Sequence, residues 1–254
     1  MSERNKPLTG KVALVTGGSR GLGAATAKAL AEQGADVAIT FVSPDSVLKA
    51  AAVVADIEQL GVRGLSIQAD QADTGTAPQL IETIVRRLGR LDIVINSASI
   101  DRFGATDDPH RDESVFDHYW AVANTGFRAI VRAASRVMGE GGRFVFVGSN
   151  LGGRPGSPGL SDMASIKAAI DGYARGAARD LADRGITVNV VHAGFMETDI
   201  NVDMRDVIRP LLQNLCVKRF ARLEEVVAPI LFLANPAASY ITGTIIDADG
   251  GYNV

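Results

Sequence analysis

A glycine-rich turn close to the N-terminus carries the first residues that could do chemistry. It lies between an apolar run and a helix-like segment and reads Thr16-Gly17-Gly18-Ser19-Arg20-Gly21-Leu22-Gly23. Glycines permit a tight turn and let a pyrophosphate approach the backbone, while the helix N-terminus offers free N–H groups. A turn without a ligand is the alternative, since glycines are scattered through the chain. The position between the first strand and the first helix favours a dinucleotide-binding site.

The residues after the second apolar run indicate which dinucleotide binds. An acidic residue at this point would bind the ribose 2′-hydroxyl of NAD. The run ends with Ile39-Thr40-Phe41-Val42-Ser43 and has no acid. Arg20, within the glycine turn, stands where a 2′-phosphate would lie, although a solvated turn residue is the alternative interpretation. The sequence therefore predicts NADP(H) as the cofactor.

Short apolar runs alternate with helix-like segments along the whole chain. Most runs lack clean alternation, as expected of strands that are covered on both faces. The pattern predicts an α/β fold with one Rossmann-type, doubly wound parallel sheet and helices on both faces. No linker is visible, so residues 1–254 are expected to form a single domain. Strands are predicted at 12–16, 37–41, 65–68, 93–95, 144–147, 188–191 and 245–247, and helices near 22–33, 46–60, 76–89, 112–138, 163–183 and 223–234.

Composition excludes several classes of function. The 26 basic and 29 acidic residues give a net charge of −3, so the composition does not indicate a basic surface that would bind nucleic acid. Cys216 is the only cysteine, which rules out an intramolecular disulfide, argues against a metal site and fits a cytoplasmic location. The uncharged run 226–246 contains Pro229 and Pro236, which divide it into short elements, so we expect no membrane span.

Further motifs follow the later strands. They are Asn96-Ser97-Ala98-Ser99 after the fourth strand, the strand 142–149 that ends in a serine, the stretch 193–198 and the ending 243–251. With the glycine turn, they make the sequence from Leu8 to Tyr252 resemble the short-chain dehydrogenase/reductase family. The nearest branch is that of the 3-oxoacyl-carrier-protein reductases, whose fourth-strand motif reads Asn-Asn-Ala-Gly.

The resemblance implies a cofactor site and a catalytic set. Ser149 would bond the substrate oxygen, Lys167 would bind the ribose and lower the pKa of a tyrosine, and that tyrosine would transfer a proton as a general acid. Cofactor contacts are expected at Gly17, Ser19, Arg20, Gly21, Leu22, Gly23, Ser43, Asp70, Gln71, Asn96, Ser97, Ala98, Lys167, Gly194, Met196 and Thr198.

The sequence departs from the family at the tyrosine. Lys167 aligns with the family lysine, but Met163 occupies the tyrosine position, and a thioether cannot donate a proton. The loop from Ser149 to Met163 is one residue longer than usual and contains no tyrosine. The four tyrosines of the chain all lie elsewhere, at Tyr119, Tyr173, Tyr240 and Tyr252.

A second catalytic position also differs. The family asparagine, which holds a water in the proton relay, aligns with Ala123, and Asn124 would replace it only if the helix slipped by one residue. Enoyl-carrier-protein reductases often have Met at the position of Met163. Their tyrosine lies seven residues before the lysine, however, and this chain has Leu160 there.

Other groups are candidates for the missing acid. Ser149 remains a donor to the substrate oxygen, and water near Lys167 could supply the proton. Asp162 borders the lost tyrosine, and we interpret it as a helix N-cap rather than an acid. His192, at a strand end near the nicotinamide, is a weaker candidate, with a structural role as the default. His110 and His118 lie in or beside a polar stretch.

The sequence leaves three functions open. The first is an NADPH-dependent carbonyl reductase with an altered proton source; the others are non-redox cyclisation, isomerisation or dehydration, and a catalytically silent nucleotide-binding subunit. The expected partner is a small molecule, apolar or acyl-like, because the segment 195–220 resembles a substrate lid and is rich in apolar residues. These are Phe195, Met196, Ile200, Met204, Leu211 and Leu212. Small residues on the helix after Met163, together with the resemblance, imply a homo-oligomer, either a dimer or a tetramer.

Overall fold

The fold is built on a parallel sheet of seven strands, as the computed structural model shows for residues 6–196 and 209–254. The strands are β1 (Val12–Thr16), β2 (Asp36–Phe41), β3 (Gly64–Gln68), β4 (Ile93–Asn96), β5 (Arg143–Ser149), β6 (Thr187–Ala193) and β7 (Ile245–Ala248). Their order in the sheet is β3-β2-β1-β4-β5-β6-β7, and every pairing is parallel. The predicted doubly wound fold is therefore confirmed.

Helices cover both faces of the sheet. They are α1 (Gly21–Glu32), α2 (Val47–Gln59), α3 (Ala77–Leu88), α4 (Glu113–Trp120), α5 (Phe127–Val137), α6 (Ser161–Leu181) and α7 (Leu223–Ala234). Helices α1, α2 and α7 pack on one face and α3, α5 and α6 on the other, each layer burying an apolar core. Because strands covered on both faces expose no polar side, the continuous apolar runs found in the sequence follow directly.

Most predicted boundaries lie within two residues of those observed, but the helix predicted over 112–138 is interrupted. A π-helical turn over 121–126 separates α4 from α5. Gln71 holds this turn, since its Nε2 donates to the carbonyl of Val122 at 2.8 Å. A Cβ on Gly126 would lie 1.6 Å from the carbonyl oxygen of Gln71, so only glycine fits there. Turns of this kind are frequent at functional sites.

The order of the strands changes direction between β1 and β4, in the middle of the sheet. The chain moves outward from β1 to β3 and then crosses back to β4, on the other side of β1. Such a reversal opens a crevice at the carboxyl ends of the strands, where ligands of doubly wound sheets bind. None of the described helices is long and apolar enough to cross a membrane.

Candidate active site

A cavity of about 400 Å³ opens at the carboxyl ends of β1 to β6. Its wall includes the glycine turn after β1, the segments that follow β2, β3 and β4, the loop after β5 and residues 193–196 after β6. The first two turns of α6 close it with Met163 and Lys167. The structure thus brings most of the expected cofactor and catalytic positions to one place; Asn96 lies outside the lining, and Thr198 lies outside the described residues.

The glycine turn is built for close approach. Gly17 has a φ of +66°, and a Cβ there would lie 2.9 Å from the Cα of Ala98. A Cβ on Gly23 would lie 2.3 Å from the carbonyl oxygen of Gly17. The turn leads directly into α1, and the N-terminal residues of that helix, Gly21, Leu22 and Gly23, line the cavity. Free N–H groups at a helix N-terminus bind phosphate oxygens, so the cradle fits a pyrophosphate.

Thr16 joins the glycine turn to the segment after β4. Its hydroxyl accepts hydrogen bonds from the backbone N–H groups of Ser97 and Ala98 at 3.1 and 3.0 Å. The same hydroxyl donates to Oδ1 of Asn96 at 3.2 Å. Asn96 is buried and lies behind the cavity lining, whereas Ser97 and Ala98 line it. The side chain of Asn96 therefore supports the wall.

The region expected to hold the adenosine half is lined by Arg20, Ser43, Asp70 and Gln71. Arg20 is exposed, and its side chain forms no ion pair with a described residue. No acid lines this end of the cavity between β2 and Ser43. The Asp70 carboxylate accepts the N–H of Ala72 at 2.9 Å, which fixes the loop after β3. Because the Arg20 guanidinium forms no ion pair with a described carboxylate, it is suited to bind an anionic group of a ligand.

Ser149 and Lys167 line the opposite end of the cavity. The Ser149 hydroxyl donates to Oδ1 of Asn150 at 3.2 Å and accepts the N–H of Leu151, also at 3.2 Å. Lys167 is buried, and its Nζ donates to the hydroxyl of Ser99 at 3.3 Å. Burial lowers the pKa of Lys167 against the opposing effect of the Asp101 carboxylate.

Met163 lies one helical turn before Lys167 on α6 and also lines the cavity. It is 4% exposed and packs with Leu160, Phe195 and Leu211. Met163, which the sequence aligns with the family tyrosine, is therefore an apolar side chain that faces the cavity. Ala123 and Asn124, in the π-helical turn, are both buried and lie outside the lining.

The structure assigns other roles to two candidate acids. Helix α6 begins at Ser161, so Asp162 lies inside the first turn and the expectation that it caps the helix was wrong. His192 is buried between α6 and β7. Its Nε2 lies 2.9 Å from a carboxylate oxygen of Asp171, and its Nδ1 lies 2.8 Å from one of Asp247. His192 lies outside the cavity lining, which agrees with the structural default.

Sequence reasoning missed three polar groups at this end of the cavity. Ser99 and Asp101 line the cavity after β4, and Tyr119 lies behind them on α4 with no exposed surface. One signal was available, since Ser99 stands where the related family motif has glycine. Gly194 and Met196, which are expected to contact the nicotinamide, line the cavity, whereas Thr198, Ile200 and Met204 lie outside the described residues.

Known proteins are similar to this chain over nearly its whole length. The family model described as enoyl-(acyl carrier protein) reductase matches residues 17–253. A 3-oxoacyl-[acyl-carrier-protein] reductase of a Synechocystis species is 37% identical over 250 residues, which cover 96% of this chain and 97% of that protein.

Two solved structures are similar over 98% of this chain and 100% of their own. A short-chain dehydrogenase from Burkholderia cenocepacia in complex with NADP is 41% identical, with a TM-score of 0.92. A blue fluorescent protein from a metagenomic library in complex with NADPH is 37% identical, with a TM-score of 0.94. The expected family is confirmed: the chain belongs to the short-chain dehydrogenases/reductases.

Proposed function

We propose that this protein is an NADPH-dependent oxidoreductase of the ketoreductase type, which reduces a carbonyl group at a site with an altered proton donor. The observation that carries the proposal is the placement of Ser149, Lys167 and Met163 around the cavity that the glycine turn opens. Ser149 and Lys167 are the residue types that the family uses at these positions, whereas the thioether of Met163 cannot donate a proton. The similarity to a 3-oxoacyl reductase and to NADP-bound and NADPH-bound structures supports this activity.

The cavity residues divide among the parts of the dinucleotide. Residues 19–23 would hold the pyrophosphate, Arg20 and Ser43 the 2′-phosphate, and Asp70 and Gln71 the adenosine. Ser97, Ala98 and Lys167 would contact the second ribose, and Gly194 and Met196 would cover the nicotinamide. When bound, the reduced cofactor supplies the hydride.

The chain's own residues would orient the substrate and exclude water. Ser149 donates to the carbonyl oxygen once its hydroxyl turns from Asn150 towards the cavity. Met163, Leu160 and Phe195 form an apolar wall beside it. Water-poor surroundings strengthen a hydrogen bond to an oxygen that gains negative charge.

The lining predicts the substrate class. Ile100, Leu151, Leu160, Phe195 and Leu211 line the substrate end of the cavity together with Met163. Polar residues such as Ser99, Ser149 and Lys167 also line the cavity, but the continuous apolar part of the wall suits an apolar or acyl-like carbonyl compound better than a polyhydroxylated one.

We also propose a homo-oligomer, a dimer or a tetramer, in the cytoplasm. Side chains at Gly172 and Gly176 of α6 would meet no neighbouring group, and Trp120 on α4 is 41% exposed. Exposed small residues permit close approach of a second helix, and exposed aromatic residues are enriched in the cores of subunit interfaces. The location follows from the single cysteine, which needs no oxidising compartment. Light scattering after size exclusion tests the assembly.

Cofactor binding and hydride transfer test the function separately. Gly23→Ala should abolish NADPH binding, measured by fluorescence titration, because its Cβ would collide with the carbonyl of Gly17. Gly139→Ala is the matched control, since a Cβ there meets nothing within 4 Å. Stopped-flow NADPH oxidation with a 3-oxoacyl thioester then tests reduction. Tight NADPH binding without any oxidation would favour the non-redox or silent alternatives.

A further inference from the structure

The hydroxyl of Ser99 lies in the cavity wall between a buried ammonium and a buried phenol. It accepts a hydrogen bond from Nζ of Lys167 at 3.3 Å. Its own hydrogen is directed at the carbonyl oxygen of Ile100, also at 3.3 Å, a long contact that a better acceptor could replace. Ser99 is therefore a donor within reach of a molecule in the cavity.

The phenol belongs to Tyr119, which is fully buried on α4. It packs in the same apolar cluster as Met163 and Ala123, which the sequence aligns with the family's tyrosine and asparagine. Its hydroxyl has no well-aligned hydrogen bond to any described residue, yet the Ser99 hydroxyl lies close enough to interact with it. A buried hydroxyl without a partner is costly, so a small rotation that completes this bond is favoured.

Burial and the carboxylate of Asp101 determine the charge states of the group. Burial raises the pKa of Tyr119 above its usual value and the Asp101 carboxylate raises it further; together they outweigh the interaction with Ser99, which lowers it, so the phenol keeps its proton. Burial lowers the pKa of Lys167, which makes its ammonium a stronger acid than that of an exposed lysine. In this group Lys167 is thus the proton source and Tyr119 a permanent donor.

We propose that Ser99 delivers the proton that the missing tyrosine would have supplied, that Lys167 replenishes Ser99, and that Tyr119 positions it. A serine hydroxyl has one hydrogen and two lone pairs. When Lys167 and Tyr119 occupy both lone pairs, the hydrogen of Ser99 must point away from them, towards the cavity. Tyr119 does not line the cavity and acts only through Ser99.

The proton transfer balances within the reduction, and this inference rests on the proposed function. The carbonyl carbon receives a hydride from the reduced nicotinamide, and the electron pair of the C=O bond moves to oxygen. That oxygen takes the proton of Ser99, and the Ser99 oxygen takes a proton from the Lys167 ammonium. The neutral amine then regains a proton from solvent, which returns the site to its starting state.

Kinetics on point variants test the relay. Single-turnover NADPH oxidation with a 3-oxoacyl thioester should fall by about 10²-fold in Ser99→Ala, the low end for a positioned acid. Ser99→Thr keeps the hydroxyl and should recover most of the rate. Tyr119→Phe should slow the step about tenfold and move its pH profile, because the orientation of Ser99 is lost. Tyr173 is half-buried and does not line the cavity, so Tyr173→Phe is the control. It should change neither the rate of NADPH oxidation nor its pH profile.

A second measurement needs no cofactor or turnover. In protein with ¹³C-labelled lysine, the Lys167 signal is assigned from its loss in Lys167→Gln and titrated by NMR. Ser99→Ala should lower the pKa of Lys167 further, because the ammonium loses its acceptor, and Tyr173→Phe should not. An unchanged titration and an unchanged rate in Ser99→Ala overturn the relay while wild-type turnover stands. A wild-type protein that never oxidises NADPH overturns the proposed function itself.

Discussion

Arg111 and Asp162 form an ion pair in which the guanidinium and carboxylate lie 2.9 Å apart. The same guanidinium binds Glu113 at 2.7 Å and lies 3.5 Å above the ring of Phe116. This pair ties the start of α6 to the segment before α4. The carboxylate next to Met163 is therefore held in a structural ion pair with a guanidinium that stays charged.

Asp162→Asn should leave hydride transfer within about twofold of wild type, since the carboxylate does not take part in proton transfer. A small fall in melting temperature is expected from the lost pair. The control is Asp180→Asn, an exposed carboxylate on the same helix. Single-turnover NADPH oxidation decides the matter, and a loss of the chemical step in Asp162→Asn alone would identify Asp162 as the acid.

Arg20→Ala should erase a preference for NADPH over NADH. We expect the wild type to bind NADPH at least about tenfold more tightly, equivalent to about 1.4 kcal/mol, through charge-assisted bonds to the 2′-phosphate. Arg86→Ala on α3 removes an exposed arginine away from the cavity and serves as control. Fluorescence titration of both cofactors provides the measurement. Equal affinities in the wild type would contradict the assignment of Arg20.

The sequence predicted the fold far better than it predicted contacts within the site. Strand positions follow from apolar runs, and the glycine turn follows from local backbone requirements. Both can therefore be predicted from residues that are close together in the sequence. The partners of His192 lie 21 and 55 residues away, and those of Lys167 and Asp162 lie 68 and 51 residues away. Such pairs depend on how helices dock on the sheet, which periodicity does not encode.

Motif matching does not indicate on which side of the cavity wall each side chain lies. Asn96 belongs to a matched motif, yet its amide turns towards Thr16 and away from the cavity. Conversely, Ser99 at the end of the same motif faces the lining and was expected only as part of a match. A one-dimensional motif indicates which segment reaches the site, but the direction of each side chain depends on its neighbours in the fold.

His192 should make stability depend on pH. Burial lowers its pKa, but hydrogen bonds and charges from Asp171 and Asp247 outweigh this, so the folded pKa lies above the usual 6.5. The neighbouring β5 presents only Gly148 to the ring and adds no charge. The stabilisation is therefore fully present below the unfolded pKa and is lost as pH rises through the folded pKa.

His192→Gln tests this dependence. At a pH near 6, where the imidazolium bonds two carboxylates, the variant should be about 1–3 kcal/mol less stable than wild type. The difference should shrink towards alkaline pH, because only the wild type loses its charge there. Urea unfolding at a series of pH values measures both. Parallel curves for the two proteins across the range would mean that His192 stays neutral.

Met163→Tyr should raise the rate of carbonyl reduction, because it returns a phenol to the helical turn before Lys167. The gain should reach about 10²-fold, the low end for a positioned acid, when Ser149 holds the substrate oxygen. The larger side chain enters a packed cluster with Leu160 and Leu211, at a cost in stability of about 1–3 kcal/mol. Met163→Phe, which has the ring without the hydroxyl, separates these effects. A rate equal in both variants, with NADPH still bound, would show that the pocket is shaped for chemistry other than the family's proton transfer.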